Sequence, residues 1–142
     1  LEEELLLLTT HGILHLLADN AVDYPIFWRR LSHAVASGAF EPVRDLFADR
    51  AGFDRWLLSY SELEALDGRA PEPDLMLQSN PHMVLRNHLG EQAIRAAQEG
   101  NFSEIQTLQA LLERPFDAHP GFEAHAGFPP DWARHIAISC SS

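Results

Sequence analysis

Large apolar side chains recur three or four positions apart along this chain, and that spacing constrains its fold more than any other feature. Residues so spaced share one face of an α-helix, whereas a half-buried strand alternates at every second position. The clearest example is a stripe of aromatic and leucine side chains formed by Phe53, Trp56, Leu57, Tyr60 and Leu63. Because no segment of adequate length alternates, the sequence predicts an all-α fold.

Glycine, proline and capping residues mark where the helices begin and end. Asp23 and Asn80 are placed to cap helices that open with Pro25 and Pro81, and Asn80-Pro81 is the clearest helix start in the chain. At 142 residues the chain is long enough for one domain with its own core. We therefore expect a single helical region over 1–142, with helices roughly at 1–19, 23–37, 42–50, 53–66, 81–99 and 102–113. A loop-rich tail over 115–142 follows, in which 131–136 can form a short helix.

Charge and residue usage exclude several functions. The net charge of −11 repels phosphate backbones and anionic lipid, so we expect neither a nucleic-acid nor a membrane partner. All ten basic residues are Arg, which excludes a P-loop Lys, a kinase-type strand Lys and a Schiff base from these residues. The longest apolar run, Leu5–Leu8, is far too short to span a bilayer. The single Cys140 forms no internal disulfide, which favours a reducing cytosol.

Two groups of histidines are the only candidate metal ligands. His11 and His15 are four positions apart, but Gly12 stands where a zinc-protease motif has Glu, so ordinary surface histidines are the better interpretation. A second group lies in the tail and leaves a small metallohydrolase open as an alternative; it consists of Asp117, His119, Glu123 and His125. Neither group has Cys pairs, and we assign no metal ligand and no catalytic residue to the chain.

Arg86 and Asn87 interrupt an apolar helical stretch, 83–89. A guanidinium buried there needs a carboxylate or several carbonyls to offset its desolvation. We interpret Arg86 as a structural fork that ties its helix to a neighbour, with contact to a ligand as the alternative. Cys140 lies among small polar residues, where a thiol is accessible to disulfide exchange. From composition alone, such a cysteine is more often incidental.

Several segments, taken together, resemble one known family. The most specific are Asn80-Pro81-x-x-Val-Leu-Arg86-Asn87 and the ending Ser-Cys140-Ser-Ser. With these, nearly the whole chain is similar to the C-terminal portion of the selenoprotein O family, also called YdiU. The remaining segments that carry the resemblance lie at 22–31, 53–60, 93–102 and 129–132.

The resemblance implies a part of a kinase-like protein that transfers AMP from ATP to Ser, Thr or Tyr hydroxyls of other proteins. In the family, ATP and Mg²⁺ or Mn²⁺ are bound by a kinase-like core, which would lie upstream of Leu1. This chain would then bind no cofactor itself, support that core in cis and be inactive alone. Asn80, Pro81, Arg86 and Asn87 would be a structural motif, and Cys140 would pair with an upstream cysteine as a redox control. The implied location is the cytoplasm of a bacterium, or the mitochondrion of a eukaryote.

A function of another class also fits the sequence. The acidic helix faces or the aromatic stripe could make the chain an independent helical protein-interaction module with no catalytic activity. An exposed apolar patch larger than a few hundred Å² is the sign of such a module.

Overall fold

A computed structural model of the chain describes residues 2–68 and 71–136. These residues form α-helices and one 3₁₀ helix, without a β-strand among them, so the predicted all-α class is confirmed for this part of the chain. None of the described helices is long and apolar enough to cross a membrane. In order, the helices are α1 (Glu2–Asp19), α2 (Tyr24–Ser37), α3 (Glu41–Arg44), α4 (Arg50–Asp67), α5 (Pro73–Ser79), α6 (Asn87–Gln98), α7 (Ser103–Leu112), α8 (Glu123–Ala126) and the 3₁₀ helix (Asp131–His135).

The chain divides into two compact units, Leu1–Asn80 and Pro81–Ser142. Each unit has a hydrophobic cluster of its own. That the chain is one domain stays a prediction.

Helix α2 lies where the sequence predicts it, and its ends show why. The Asp23 side chain accepts a hydrogen bond from the Ile26 N–H at 3.1 Å, and Pro25 occupies the first turn. At the other end, Gly38 adopts φ 75°, a left-handed conformation that residues with a Cβ rarely adopt, and its N–H bonds to the Ala34 carbonyl.

An aromatic cluster forms the core of the first unit. The rings of Phe27, Phe47, Phe53 and Trp56 are in mutual contact, and α1 adds Ile13 and Leu17. Most of the stripe of α4 belongs to this core, since Phe53 and Trp56 are buried and Leu57 and Tyr60 pack against the cluster. The Trp56 indole N–H donates to the Thr9 carbonyl at 3.0 Å, which fixes α4 against α1.

The predicted helix over 42–50 is wrong, because α3 ends at Arg44 and the chain turns before α4. Asp49 caps α4 by accepting from the Gly52 N–H at 2.8 Å. Gly52 lies in the first turn of α4, where a Cβ would collide with the Asp49 carboxylate. Arg44 joins the two helices through a bidentate pair with Asp54, at 2.7 and 2.8 Å, which lowers the pKa of the Asp54 carboxyl.

The predicted helix start at Asn80-Pro81 is also wrong. Asn80 ends α5, a helix that the sequence analysis missed, and its side-chain amide donates to the Met76 carbonyl at 2.9 Å. Arg29 reinforces this end by donating to the carbonyls of Leu77 and Asn80 at 2.9 and 3.0 Å. Asn can satisfy backbone groups at either end of a helix, and Pro often follows a helix end as well as opening one. Asn80 and Pro81 therefore mark the end of one helix, where the sequence analysis predicted the start of another.

The second unit is built on the helical pair α6 and α7. Helix α6 begins at Asn87 rather than at 81, since the N–H groups of His82 and Met83 are both held by the Pro115 carbonyl, at 2.8 and 2.9 Å. Gly100, at φ 84°, lies in the tight connection between α6 and α7. Helix α7 lies within the predicted 102–113, and the 3₁₀ helix within the predicted 131–136. The buried core of this unit consists of Met83, Leu89, Ala93, Leu108 and Leu111.

Replacing Phe53 by Ala tests the aromatic core. Phe53 is fully buried, so Phe53→Ala should lower the free energy of unfolding by about 3–5 kcal/mol. Leu58 lies on the same helix and is 66% exposed, so Leu58→Ala should change it by less than about 0.5 kcal/mol. Urea unfolding followed by far-UV circular dichroism measures both, and equal losses would contradict the described packing.

Candidate functional site

The second unit contains a groove of about 540 Å³, a size typical of small-molecule sites. Helix α6 supplies one wall, because His88, Gln92 and Ala96 are four residues apart and share a face. The remaining lining comes from the start of α7, from α8 and from the segment that includes the 3₁₀ helix. Its main side chains are Ser103, Glu104, His125, Phe128 and Trp132.

His88 is the most buried polar residue of the groove, with 6% of its surface exposed. The Trp132 indole meets its imidazole edge-on, with ring centroids 6.0 Å apart. Burial lowers the pKa of His88, and the nearby charges of Arg86 and His125 lower it further. His88 is therefore a neutral imidazole at pH 7, able to donate one hydrogen bond and accept another.

His125 and Glu104 form the one ionisable pair in the groove. The imidazole Nε2 lies 3.0 Å from the Glu104 carboxylate, and both side chains are mostly buried. Phe122 packs edge-on against the imidazole, with ring centroids 5.6 Å apart. The other ring nitrogen, Nδ1, is buried without a hydrogen-bond partner. Because the two residues are 21 positions apart, the pair attaches α8 to the start of α7.

The groove is suited to packing and neutral hydrogen bonding. Its serine is hydrogen-bonded elsewhere, since Ser103 Oγ and the Ser103 N–H both donate to the Asn101 side-chain oxygen, at 2.8 and 3.0 Å. This serine, at the start of α7, is thus engaged with Asn101 and is not hydrogen-bonded to an imidazole. Phe128 and Trp132 leave about half of their surfaces exposed, which gives the groove an aromatic wall. Sequence reasoning missed this site; its only signal was a histidine, His88, on the apolar side of α6.

The tail residues that suggested a metallohydrolase do not converge. His119 Nε2 contacts the Arg114 carbonyl at 2.9 Å, whereas His125 pairs with Glu104. Glu123 accepts from the Gly121 N–H at 3.0 Å, which lowers the pKa of its carboxyl. Among the side chains that the structure describes, no group of three or more His, Cys, Asp or Glu is placed to hold a metal ion.

The other predicted residues are distributed over both units. His11 and His15 stack edge-on on α1, with centroids 4.3 Å apart. Arg86 is half-buried immediately before α6, where its carbonyl accepts from two N–H groups of the first turn, and Asn87 is exposed. Asn80 belongs to the first unit and Pro81 begins the second. Their role as a structural motif stays a prediction, and Cys140 lies outside the described residues.

Comparison with known proteins identifies the family. No family model matches the chain. It is 65% identical over 131 residues to the protein nucleotidyltransferase YdiU of Variovorax paradoxus, a match that covers 92% of this chain. The identity is 57% over 130 residues to YdiU of Albidiferax ferrireducens, and 49% over 147 residues to YdiU of Cupriavidus pinatubonensis. These residues belong to the YdiU family.

The chain spans about a quarter of the length of the YdiU relatives that it matches, 26% for the first two and 27% for the third. The resemblance to YdiU that the sequence motifs suggested is thereby confirmed.

The pKa of His88 can be measured directly. Following the imidazole C2 proton by NMR should place the His88 midpoint below 6.5, with His88→Phe identifying the signal. The unfolded chain then binds this proton more tightly than the folded one, so the His88 contribution to stability falls as pH decreases below about 6.5. A midpoint at or above 6.5 would contradict the burial of His88.

Proposed function

We propose that these residues are the C-terminal helical region of a YdiU-type protein nucleotidyltransferase, and that they stabilise a catalytic core elsewhere in the polypeptide. The observation that carries this proposal is 65% identity over 92% of the chain to a protein of that name, of which the match spans only 26%. Three quarters of such a relative therefore remain for the reacting groups.

The proposed reaction of the full-length protein is AMP transfer to a protein hydroxyl. The oxygen of a Ser, Thr or Tyr hydroxyl attacks the α-phosphorus of ATP, the bond from that phosphorus to the bridging oxygen of the β-phosphate breaks, and pyrophosphate leaves. The hydroxyl proton goes to a base or to solvent. ATP and Mg²⁺ or Mn²⁺ would be held by the upstream kinase-like core, and the protein substrates would be met in the bacterial cytoplasm.

The residues of this chain favour a structural role over a catalytic one. The sequence has no Lys to contact phosphates, and its described part groups no set of carboxylates and imidazoles suitable for a metal ion. The groove of the second unit has a neutral imidazole and aromatic walls, which do not match a triphosphate. Several leucines of the first unit are left exposed, and they offer apolar area for contact with a core.

A labelled-ATP assay tests the proposal. The full-length protein should transfer label from ATP carrying it on the α-phosphate to itself or to another protein, and should transfer none from ATP labelled on the γ-phosphate. Residues 1–142, shown to be helical by circular dichroism, should transfer neither label and should give no heat with ATP and Mg²⁺ in calorimetry. Transfer by residues 1–142 alone, or none by the full-length protein, would refute the assignment.

We propose separately that Cys140 takes part in redox control of the full-length protein. Two thiols, Cys140 and an upstream cysteine, would each lose a proton and an electron, and a peroxide would accept the two electrons as the disulfide forms. Treatment with hydrogen peroxide should then shift the mobility of the full-length protein on a non-reducing gel, and Cys140→Ser should abolish the shift. Dithiothreitol should reverse the shift in the wild type. A shift that survives in Cys140→Ser would exclude this cysteine as the switch.

The exposed leucines of the first unit also favour a second candidate, an independent protein-interaction module. A pull-down with residues 1–142 as bait distinguishes the two functions. The supporting role is favoured if the bait captures the separately expressed remainder of the full-length protein and if an excess of unrelated cell protein does not reduce that capture. Displacement of that remainder by another protein would favour the module.

A further inference from the structure

A groove of about 320 Å³ lies between α1 and α4 in the first unit. The Trp56 indole that lines it is held in place by its hydrogen bond to the Thr9 carbonyl, so this wall of the groove is preformed. Its lining includes Leu8, Gly12 and Leu16 of α1 and Trp56 of α4, and Arg55 and Ser59 of α4 add polar groups.

Gly12 is the unexplained residue of this groove. It lies in the middle of α1, where glycine is less favourable than alanine because it has more backbone freedom to lose. A Cβ built at Gly12 would meet only Cδ1 of Trp56, at 4.0 Å, so the contacts within the first unit do not require a glycine there. Gly52 differs, since a Cβ there would come within 2.3 Å of Asp49 Oδ2. The missing side chain at Gly12 therefore leaves room that the first unit does not use.

The surface beside Gly12 is apolar. Leu8 lines the groove one turn before Gly12 and is 61% exposed. Exposed apolar area at the edge of a groove is typical of an interaction surface.

We propose that the α1–α4 groove receives an apolar segment of the same polypeptide, from the part of the YdiU-type protein outside residues 1–142, with its backbone close to Gly12. This inference rests on the proposed supporting function. The YdiU relatives are about four times as long as the matched region, so in a full-length protein of that length a large partner would be covalently attached to this region. An attached segment competes at an effective concentration that a separate molecule rarely reaches. A glycine in the wall lets a backbone approach the helix more closely than any other residue does.

Photo-crosslinking in the full-length protein identifies the occupant. A benzoylphenylalanine at Leu8 should crosslink within one molecule, to peptides outside residues 1–142. A probe at Leu58, which is equally exposed on α4 and does not line the groove, is the matched control and should give at most a small fraction of those crosslinks. Crosslinks between two copies, to a different protein, or only within residues 1–142 would each overturn the proposal.

A substitution at Gly12 gives an independent measurement. Gly12→Leu has a better helix propensity, its Cβ has no close contact, and the groove of about 320 Å³ offers room for the rest of the side chain, so it is not expected to destabilise the first unit by itself. In the full-length protein the new side chain would collide with the docked segment, and the melting temperature should fall by about 3–6 °C. Leu58→Gln, the exposed control, should change it by less than about 1 °C. An unchanged or raised melting temperature for Gly12→Leu would contradict the docking.

The two proposals fail in different ways. Loss of the Leu8 crosslinks in a full-length protein that still transfers AMP would refute the docked segment and leave the proposed function intact. A full-length protein that gives the crosslinks but transfers no AMP would refute the proposed function and leave the docking intact.

Discussion

Contact among four aromatic rings is the interaction on which the first unit depends. Phe27 of α2, Phe47 of the connection after α3, and Phe53 and Trp56 of α4 lie with neighbouring ring centroids 5.0–6.1 Å apart. Helix stability in proteins comes mainly from tertiary packing, so these helices depend on the contacts between their rings. The rings bring α2 and α4 together around the turn at Phe47, and the Trp56 indole then fixes α1.

The sequence was informative about helix existence and less so about direction and boundaries. Local signals with a single meaning, such as Asp23 and Pro25 before α2, placed that helix well. Asn80 and Pro81 had two meanings, and the choice depended on Arg29, a residue about 50 positions away that bonds to the end of α5. The role of Gly52 was equally ambiguous in the sequence. Only the folded cap shows that the Asp49 carboxylate occupies the place where a Cβ of residue 52 would lie.

The groove of the second unit could not be predicted from local pattern at all. His125 and Glu104 are 21 residues apart, and His88 meets Trp132 across 44 residues. No periodicity links such positions, and the spacing of the tail histidines suggested a metal site that the fold does not assemble. The family resemblance identified the family correctly, whereas the spacing of the tail histidines suggested a site that does not form. The resemblance rested on many weakly specific segments along the whole chain and not on one cluster of residues.

One carbonyl, that of Pro115, joins the beginning of the second unit to the segment after α7. The amide hydrogens of His82 and Met83 both end on it, so neither can exchange with deuterated solvent until the same contact opens. These two neighbouring amides are therefore a built-in reporter. If the two amides exchange at one common rate, that rate is the rate at which the contact between 82–83 and the Pro115 carbonyl opens.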